Sequence, residues 1–157
     1  MELISKQKID HFLDCKTMAI VGASRRGKSF SAQVAKHLSA LGYNLWYVNP
    51  GFEPYEVENN RLQSIALLPS NVNHLLVLTP KTQTESVVQQ AIKQGIKDIW
   101  IQQQSETPEA LKLAQQNNLN TVHHLCIFMF THPEGIHKFH HSLKKLFGAL
   151  PKYEGIS

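Results

Sequence analysis

Short apolar runs alternate with longer amphipathic stretches along the chain. The runs are rich in apolar and β-branched residues, and they read "MAIV" (18–21), "LWYV" (45–48), "LLVL" (75–78), "IWI" (99–101) and "TV" (121–122). None of them alternates between apolar and polar positions, which is typical of parallel strands buried on both faces. The pattern therefore predicts about five parallel strands.

The stretches between these runs have the period of amphipathic helices. In 31–41 and 83–94 the apolar residues fall on one stripe of a helix, formed by Val34, Ala35, Leu38 and Leu41 in the first and by Val87, Val88, Ala91 and Ile92 in the second. Gly42 and Gly95 stand where helix ends are expected. Thr82-x-x-Glu85 has the pattern of a capping box, and Thr107-Pro108 is expected to cap and start a third helix.

The ends of the chain predict two further helices. A short N-terminal helix is expected from Leu3, Ile4, Phe12 and Leu13, and a C-terminal helix over 133–147 from Ile136, Phe139, Leu143 and Leu146. Residues 51–72 lack a period and are interpreted as a surface excursion with a short extended piece near Leu62–Ile65. Repeated strand–helix–strand units predict a single α/β domain over 1–157, a three-layer Rossmann-like doubly wound parallel sheet.

Composition narrows the class of protein. The chain has 157 residues, of which 42% are hydrophobic and 18% charged, as in ordinary globular domains. No apolar run approaches the length of a membrane span, the N-terminus does not read as a signal peptide, and two distant cysteines favour a reducing, cytoplasmic location. The net charge of +4 comes from lysine and arginine residues that are dispersed along the chain, and no nucleic-acid-binding motif accompanies them. We therefore expect a small-molecule nucleotide ligand, with neither nucleic acid nor membrane as a partner.

The most informative stretch is "AIVGASRRGKS" at 19–29, which fits the phosphate-loop pattern G-x-x-x-x-G-K-[ST]. The small residues Gly22, Ala23 and Ser24 let the backbone approach a diphosphate. The helix that starts near Phe30 presents its positive end there, and Arg25, Arg26 and Lys28 add three cations. The loop after the first predicted strand is therefore a candidate phosphate site.

Two established uses of such a loop fit the rest of the chain poorly. A phosphate-loop hydrolase needs a carboxylate at the end of a neighbouring strand, where this chain has Asn49-Pro50, Thr79-Pro80 or Gln102. An NAD site prefers an acid directly after the second strand, and Ser24 stands where its second glycine belongs. Because Glu53 and Glu56 follow shortly after, an NAD(H)-binding redox or sensor domain remains the alternative.

Several motifs in sequence order resemble one family. "VGASRRGKSFSAQVAKHLSALGYNLWYVNP", "SIALLPSNVNHLLVLTP" and "VVQQAIKQGIKDIWIQ" are similar to the CoA-binding Rossmann domain of the succinyl-CoA synthetase α subunit and of ADP-forming acyl-CoA synthetases. They are closer still to the small stand-alone bacterial proteins of that family. The resemblance covers roughly 17–130.

The resemblance implies a protein that binds CoA or an acyl-CoA without catalysis of its own. It assigns to the phosphates Gly22, Ser24, Arg25, Arg26, Lys28 and Ser29. It places Asn49-Pro50 near the adenosine, Thr79-Pro80-Lys81 on the nucleotide's other side and Gln102 at the mouth beside the pantetheine. The phosphohistidine of the synthetase lies in a second domain that this chain lacks, so ligase activity is not expected.

Neither the cysteines nor the histidines indicate a catalytic or metal site. Cys126 and His124 form a thiol–imidazole pair within two residues, but a buried structural cysteine is favoured. His137, His140 and His141, with His132 nearby, are interpreted as a solvated helix face rather than as metal ligands. A third class, an interaction module that forms a homodimer or docks to another protein through its basic C-terminal helix, also stays open.

Overall fold

The computed structural model describes residues 4–131 and 153–154. The strands are β1 (Ile4–Ser5), β2 (Thr17–Val21), β3 (Asn44–Val48), β4 (Arg61–Leu62), β5 (His74–Val77), β6 (Asp98–Gln102), β7 (Asn120–Leu125) and β8 (Tyr153–Glu154). The helices are α1 (Lys6–Asp14), α2 (Phe30–Ala40), α3 (Lys81–Lys93), α4 (Pro108–Gln116) and α5 (Phe128–Thr131), with 3₁₀ turns at Pro54–Asn59 and Ile65–Leu67.

Six parallel strands form the central sheet, in the order β4-β3-β2-β5-β6-β7. The five predicted strands are all present, and the Rossmann-like α/β fold is confirmed. The sixth strand is β4, which pairs with Tyr47 and Val48 of β3. It overlaps the extended piece expected near Leu62–Ile65, but two residues are too few to show a period. A separate parallel pair joins β1 to β8.

Each face of the sheet packs against its own set of helices. On one face α1, α2 and α5 bury a cluster that includes Phe12, Leu38 and Trp100. On the other face α3 and α4 bury a second cluster, in which Val88 and Ile99 are fully enclosed. The sheet is therefore covered on both sides, which explains why its strands are continuous apolar runs.

The helix ends follow the predicted signals with one exception. Gly42 and Gly95 have left-handed φ values of +91° and +74° after α2 and α3, and the Thr107 hydroxyl accepts a hydrogen bond from the Ala110 N–H at 3.1 Å. The predicted capping box at Thr82 is wrong. Pro80 is the extended residue before α3, and the Gln83 N–H already bonds to its carbonyl, so Thr82 lies inside the first turn.

The predicted N-terminal helix is confirmed as α1, which contains Phe12 and Leu13, whereas Ile4 forms β1 and Leu3 lies outside the described residues. The Ser5 hydroxyl caps α1 by accepting from the Lys8 N–H. The predicted helix over 133–147, with its histidines, also lies outside the described residues. Within the described part of the chain, no helix combines the length and the apolar character needed to cross a bilayer.

Phe12 should be the residue that attaches α1 to the sheet. Its ring is 2% exposed and lies 5.6 Å from the Trp100 ring and 5.2 Å from the His74 ring, centroid to centroid. Phe12→Ala should lower the free energy of unfolding by about 3–5 kcal/mol, because it removes a buried aromatic ring and leaves a cavity. Urea unfolding measures this. Gln7→Ala, on the exposed face of the same helix, is the control and should stay within about 0.5 kcal/mol of the parent.

Candidate functional site

The order of the strands reverses at β2. The chain continues from β2 to β3 on one side, and later returns to place β5 on the other side. In open parallel sheets such a reversal opens a crevice at the carboxyl ends of the strands, where ligands bind. Most of the site residues predicted from the sequence follow β2, β3 and β5, and Gln102 ends β6.

The turn after β2 is in close contact with both neighbouring strands. The Gly22 and Ala23 N–H groups both donate to the Val48 carbonyl of β3, at 3.0 and 3.2 Å. On the other side, a Cβ added to Gly22 would lie 2.9 Å from the Leu78 carbonyl carbon and 3.0 Å from the Thr79 nitrogen. Gly22 also has a left-handed φ of +89°. Only glycine combines this conformation with this approach.

A cavity of about 590 Å³ opens at the ends of β2, β3 and β5. It brings together five of the predicted site residues, Gly22, Asn49, Pro50, Thr79 and Pro80. The remaining lining comes from β2, β3, α3 and the segment after β4, through Val21, Val48, Gln63, Ser64, Ile65, Thr82, Gln83, Ser86, Val87 and Gln90. Its wall thus combines apolar side chains with amides and hydroxyls.

A second cavity, of about 470 Å³, lies on the other side of the Gly22–Ala23 turn and is strongly basic. It contains four more predicted site residues, Ala23, Ser24, Arg25 and Arg26. The rest of its lining is Gly27, Ser31, Ala32, Ala35, Tyr47, Phe52, Asn59 and Arg61. Gly22 lines one cavity and Ala23 the other, so the two cavities adjoin at the glycine turn.

Sequence reasoning missed Arg61, the third arginine of the basic cavity. Its guanidinium donates to Glu56 Oε1 at 3.0 Å and lies over the Phe52 ring. The Glu53 N–H donates to the other oxygen of Glu56 at 2.7 Å, and this bond together with Arg61 lowers the pKa of the Glu56 carboxyl. Arg61 stands in the stretch without a period, and only the pairing of β4 with β3 brings it to the loop.

Internal hydrogen bonds hold the loop between β2 and α2 in shape. The Ser24 N–H donates to Ser31 Oγ at 2.8 Å, and Ser24 Oγ accepts from the Arg26 N–H at 2.9 Å. Ser29 caps α2 by accepting from the Ala32 N–H at 3.1 Å. The helix therefore begins at Phe30, as predicted. A loop that is already formed loses little conformational entropy when a ligand binds.

Asn49 ties the end of β3 to the same loop. Its Nδ2 donates to the Ala23 carbonyl at 2.6 Å, and its Oδ1 accepts from the Gly51 N–H at 2.7 Å. The Arg25 guanidinium lies over this turn, with Nη1 3.4 Å from the Gly51 carbonyl. The two loops thus support each other, and Asn49 positions backbone groups at the boundary between the cavities.

Four predicted site residues lie outside the lining of these two cavities. Lys28 and Lys81 are exposed, and Ser29 serves as the cap of α2. Gln102 is only 2% exposed, and its Oε1 accepts from the Ile127 N–H at 3.1 Å. Its amide supports the turn after β7, so its placement beside a pantetheine stays a prediction.

Cys126 is enclosed, as expected for a structural cysteine. It is fully buried, and this burial raises the pKa of its thiol. The imidazole of His124 contacts His123 and Glu106, with Nδ1 2.6 Å from His123 Nδ1 and Nε2 3.6 Å from Glu106 Oε1. Neither Cys126 nor His124 lines the two cavities.

The chain belongs to the CoA-binding domain family, whose model matches residues 16–132. A search of curated proteins gives no significant match. Among solved structures, a hypothetical protein from Pyrococcus horikoshii OT3 is 30% identical, with a TM-score of 0.71 over 83% of this chain and 90% of its own. The protein called cell-free ID.343 from Thermus thermophilus is 24% identical and shares the fold, with a TM-score of 0.72 over 82% of this chain and 97% of its own.

The structure predicts that Gly22 does not tolerate a side chain. Gly22→Ala should lower the free energy of unfolding by about 2–4 kcal/mol, because the new methyl is strained at positive φ and overlaps the backbone after β5. Gly27→Ala is the matched control in the same loop, since a Cβ added there would meet nothing within 4 Å and its φ is not left-handed. Equal unfolding midpoints in urea for the two variants would contradict the close approach.

The two thiols should differ in reactivity. Cys126 is fully buried and its raised pKa leaves little thiolate, whereas Cys15 is half-buried. An aromatic disulfide reagent at neutral pH should therefore modify one thiol per native chain, and two after unfolding in guanidinium. In Cys15→Ser the fast native reaction should disappear. Fast modification of Cys126 in that variant would restore the hypothesis of a reactive cysteine.

Proposed function

We propose that this protein binds CoA or an acyl-CoA, with the phosphates in the basic cavity and the adenosine in the larger cavity beside it, and that it does so without catalysis of its own. The observation that carries the proposal is the junction of the two cavities at Gly22. A cluster of three arginines lies on one side and a neutral pocket on the other. CoA has the matching parts, since a highly charged phosphate region is joined to an uncharged base.

The charge of the basic cavity suits more than one phosphate. Arg25, Arg26 and Arg61 contribute three guanidinium groups to the lining. Guanidinium binds phosphate oxygens in pairs, and CoA carries a diphosphate together with a ribose 3′-phosphate. Of the three, only Arg61 has a carboxylate ion pair among the described residues, so an anionic ligand would balance excess positive charge.

The larger cavity has the size and lining of a nucleoside pocket. Its volume of about 590 Å³ is within the range typical of small-molecule sites. Pro50, Ile65 and Val87 offer apolar surface for a base, while the amides of Gln63 and Gln83 can donate and accept hydrogen bonds. This chemistry is compatible with the adenosine end of the ligand.

The two alternatives are less well supported by the same geometry. The strands that flank β2 are β3 and β5, and they lead into Asn49 and Leu78 rather than into a carboxylate that could hold Mg²⁺. Both carboxylate oxygens of Glu56, a candidate for an NAD ribose, are already hydrogen-bonded to Glu53 and Arg61. A Mg²⁺–nucleotide would therefore lack a carboxylate at these strand ends. An NAD ribose would have to displace the hydrogen bonds of Glu56.

The lining of the cavities favours binding over acid–base chemistry. None of the described residues that line the two cavities is His, Cys, Asp or Glu. General acid–base and nucleophilic catalysis use mainly these side chains. We therefore expect the protein to hold its ligand, and to deliver it or respond to it, rather than to convert it.

Isothermal titration calorimetry with CoA tests the proposal. The Arg25→Ala/Arg26→Ala variant should bind CoA about 100-fold or more weakly, because hydrogen bonds to charged groups contribute about 1.5–3 kcal/mol each. Lys93→Ala, which removes one exposed cation from the last turn of α3, controls for the loss of positive charge away from both cavities. It should leave the affinity nearly unchanged.

A panel of ligands separates CoA from the alternatives. 3′-Dephospho-CoA should bind more weakly than CoA to the parent protein, and this difference should shrink in the double arginine variant. Binding of NADH but not CoA would overturn the proposal in favour of a redox sensor. Binding of ATP with Mg²⁺ alone would overturn it in favour of a hydrolase.

A further inference from the structure

A cluster of two histidines and one aspartate lies at the opposite end of the sheet from the nucleotide cavities. His74 begins β5, Asp98 begins β6, and His11 comes from α1, which crosses this end. His11 Nε2 lies 3.0 Å from Asp98 Oδ1, and His74 Nε2 lies 3.8 Å from Asp98 Oδ2. One ligand atom from each of the three residues lies within 4.8 Å of the other two.

His74 is the unusual member of this cluster. It is only 8% exposed, and neither of its buried ring nitrogens has a hydrogen-bond partner. A buried polar side chain that lacks a partner is costly, and such groups in native proteins call for a ligand, water or functional explanation. A neutral imidazole has the lone pair that a metal needs.

We propose that His11, His74 and Asp98 form a binding site for a divalent transition metal ion of the Zn²⁺ type. Two imidazoles and one carboxylate are a common ligand set for Zn²⁺ and suit Mg²⁺ or Ca²⁺ poorly. Metal–ligand bonds of about 2.0–2.2 Å require ligand atoms about 3.3–3.6 Å apart in a tetrahedron. The His11 and His74 nitrogens lie 3.0 and 3.8 Å from different oxygens of Asp98. With one ligand atom from each residue the separations stay within 4.8 Å, so His11 has to move inward to complete a tetrahedral site.

The side chain that must move to complete the site is free to do so. His11 is 60% exposed, whereas Asp98 is 13% exposed and His74 is enclosed. The Asn120 Nδ2 donates to Asp98 Oδ1 at 3.1 Å, an outer hydrogen bond of the kind that orients carboxylate ligands. Two of the ligands are therefore held in place, and the third can swing inward from α1.

An adjoining cavity leaves room for a further ligand on the metal. It has a volume of about 300 Å³, and its lining includes His11, Asp98, Asn120 and Lys8. With three protein ligands, the fourth position of a tetrahedral ion is left open for water or another small ligand. The ion would also connect α1 to the amino ends of β5 and β6, so its binding should stabilise the attachment of this helix.

The cluster itself could be explained without a metal, as an ion pair between His11 and Asp98. Such a pair at an exposed imidazole contributes little to stability. It also leaves both nitrogens of His74 unpartnered, because the Asp98 oxygen is 3.8 Å away, beyond a hydrogen bond. A metal ion bound by one nitrogen of His74 would give that nitrogen a partner and would engage all three side chains together. This departs from the expectation, drawn from the sequence, that the chain holds no metal.

The test compares Zn²⁺ and Co²⁺ binding by the full chain and by three variants, of which His11→Ala and His124→Asn form a matched pair. His11→Ala removes the exposed ligand and should not disturb folding. Unfolding of the parent and the variant in EDTA, which removes any metal, checks that their stabilities are equal. His124→Asn is the matched control: it removes another histidine that lies near a carboxylate, and asparagine tolerates the left-handed φ of +61° at this position. Both variants retain the remaining histidines, so any binding elsewhere contributes equally.

The parent and His124→Asn should each bind one ion with similar affinity. His11→Ala should bind this ion at least about 100-fold more weakly, a larger loss of affinity than the removal of an outer hydrogen bond to a metal ligand causes. The Co²⁺ complex should show visible absorption bands of a tetrahedral site, and Zn²⁺ should raise the melting temperature of the parent by several degrees. Asp98→Asn should lose the same ion. Identical titrations of the parent and His11→Ala, or no binding at micromolar metal, would overturn the proposal. CoA binding by His11→Ala keeps the two proposals separable.

Discussion

The close approach of Gly22 to the backbone after β5 is the constraint on which the site depends. The turn after β2 donates two hydrogen bonds to Val48 on one side and lies against Leu78 and Thr79 on the other. A side chain at this position would push the strands apart or force the turn outward. Because the turn is this narrow, Gly22 lines the neutral cavity and the next residue, Ala23, lines the basic one.

The parallel sheet also separates two kinds of chemistry. All six strands of the central sheet run in one direction, so the loops after β2, β3 and β5 meet at one end and the first residues of β5, β6 and β7 meet at the other. The first end gathers arginines, amides and small residues, which suit phosphates and a base. The second end gathers imidazoles and a carboxylate. The central layer between them is buried on both faces, and its residues Leu75, Leu76, Ile99, Trp100 and Ile101 are fully enclosed.

Local signals in the sequence predicted much of the fold because they have local causes. The continuous apolar runs follow from burial on both faces, and Gly42, Gly95 and Thr107 act on the helix ends beside them. The same reasoning failed at Thr82, where the residue with the right side chain lies two positions after the true N-cap residue, Pro80. A cap is decided by the backbone conformation of Pro80, which a side-chain pattern does not reveal.

By itself the sequence predicted the five main strands and the helices between them, and it assigned the candidate ligand site to the carboxyl ends of the strands, with a basic loop at Arg25 and Arg26. Each of these depends on residues close together in the chain. Only the tertiary structure decided that Arg61 joins that loop, that Gln102 is enclosed, and that His11, His74 and Asp98 meet. The physical reason is that strand pairing and helix packing bring together residues far apart in sequence, and neither spacing nor periodicity records such contacts.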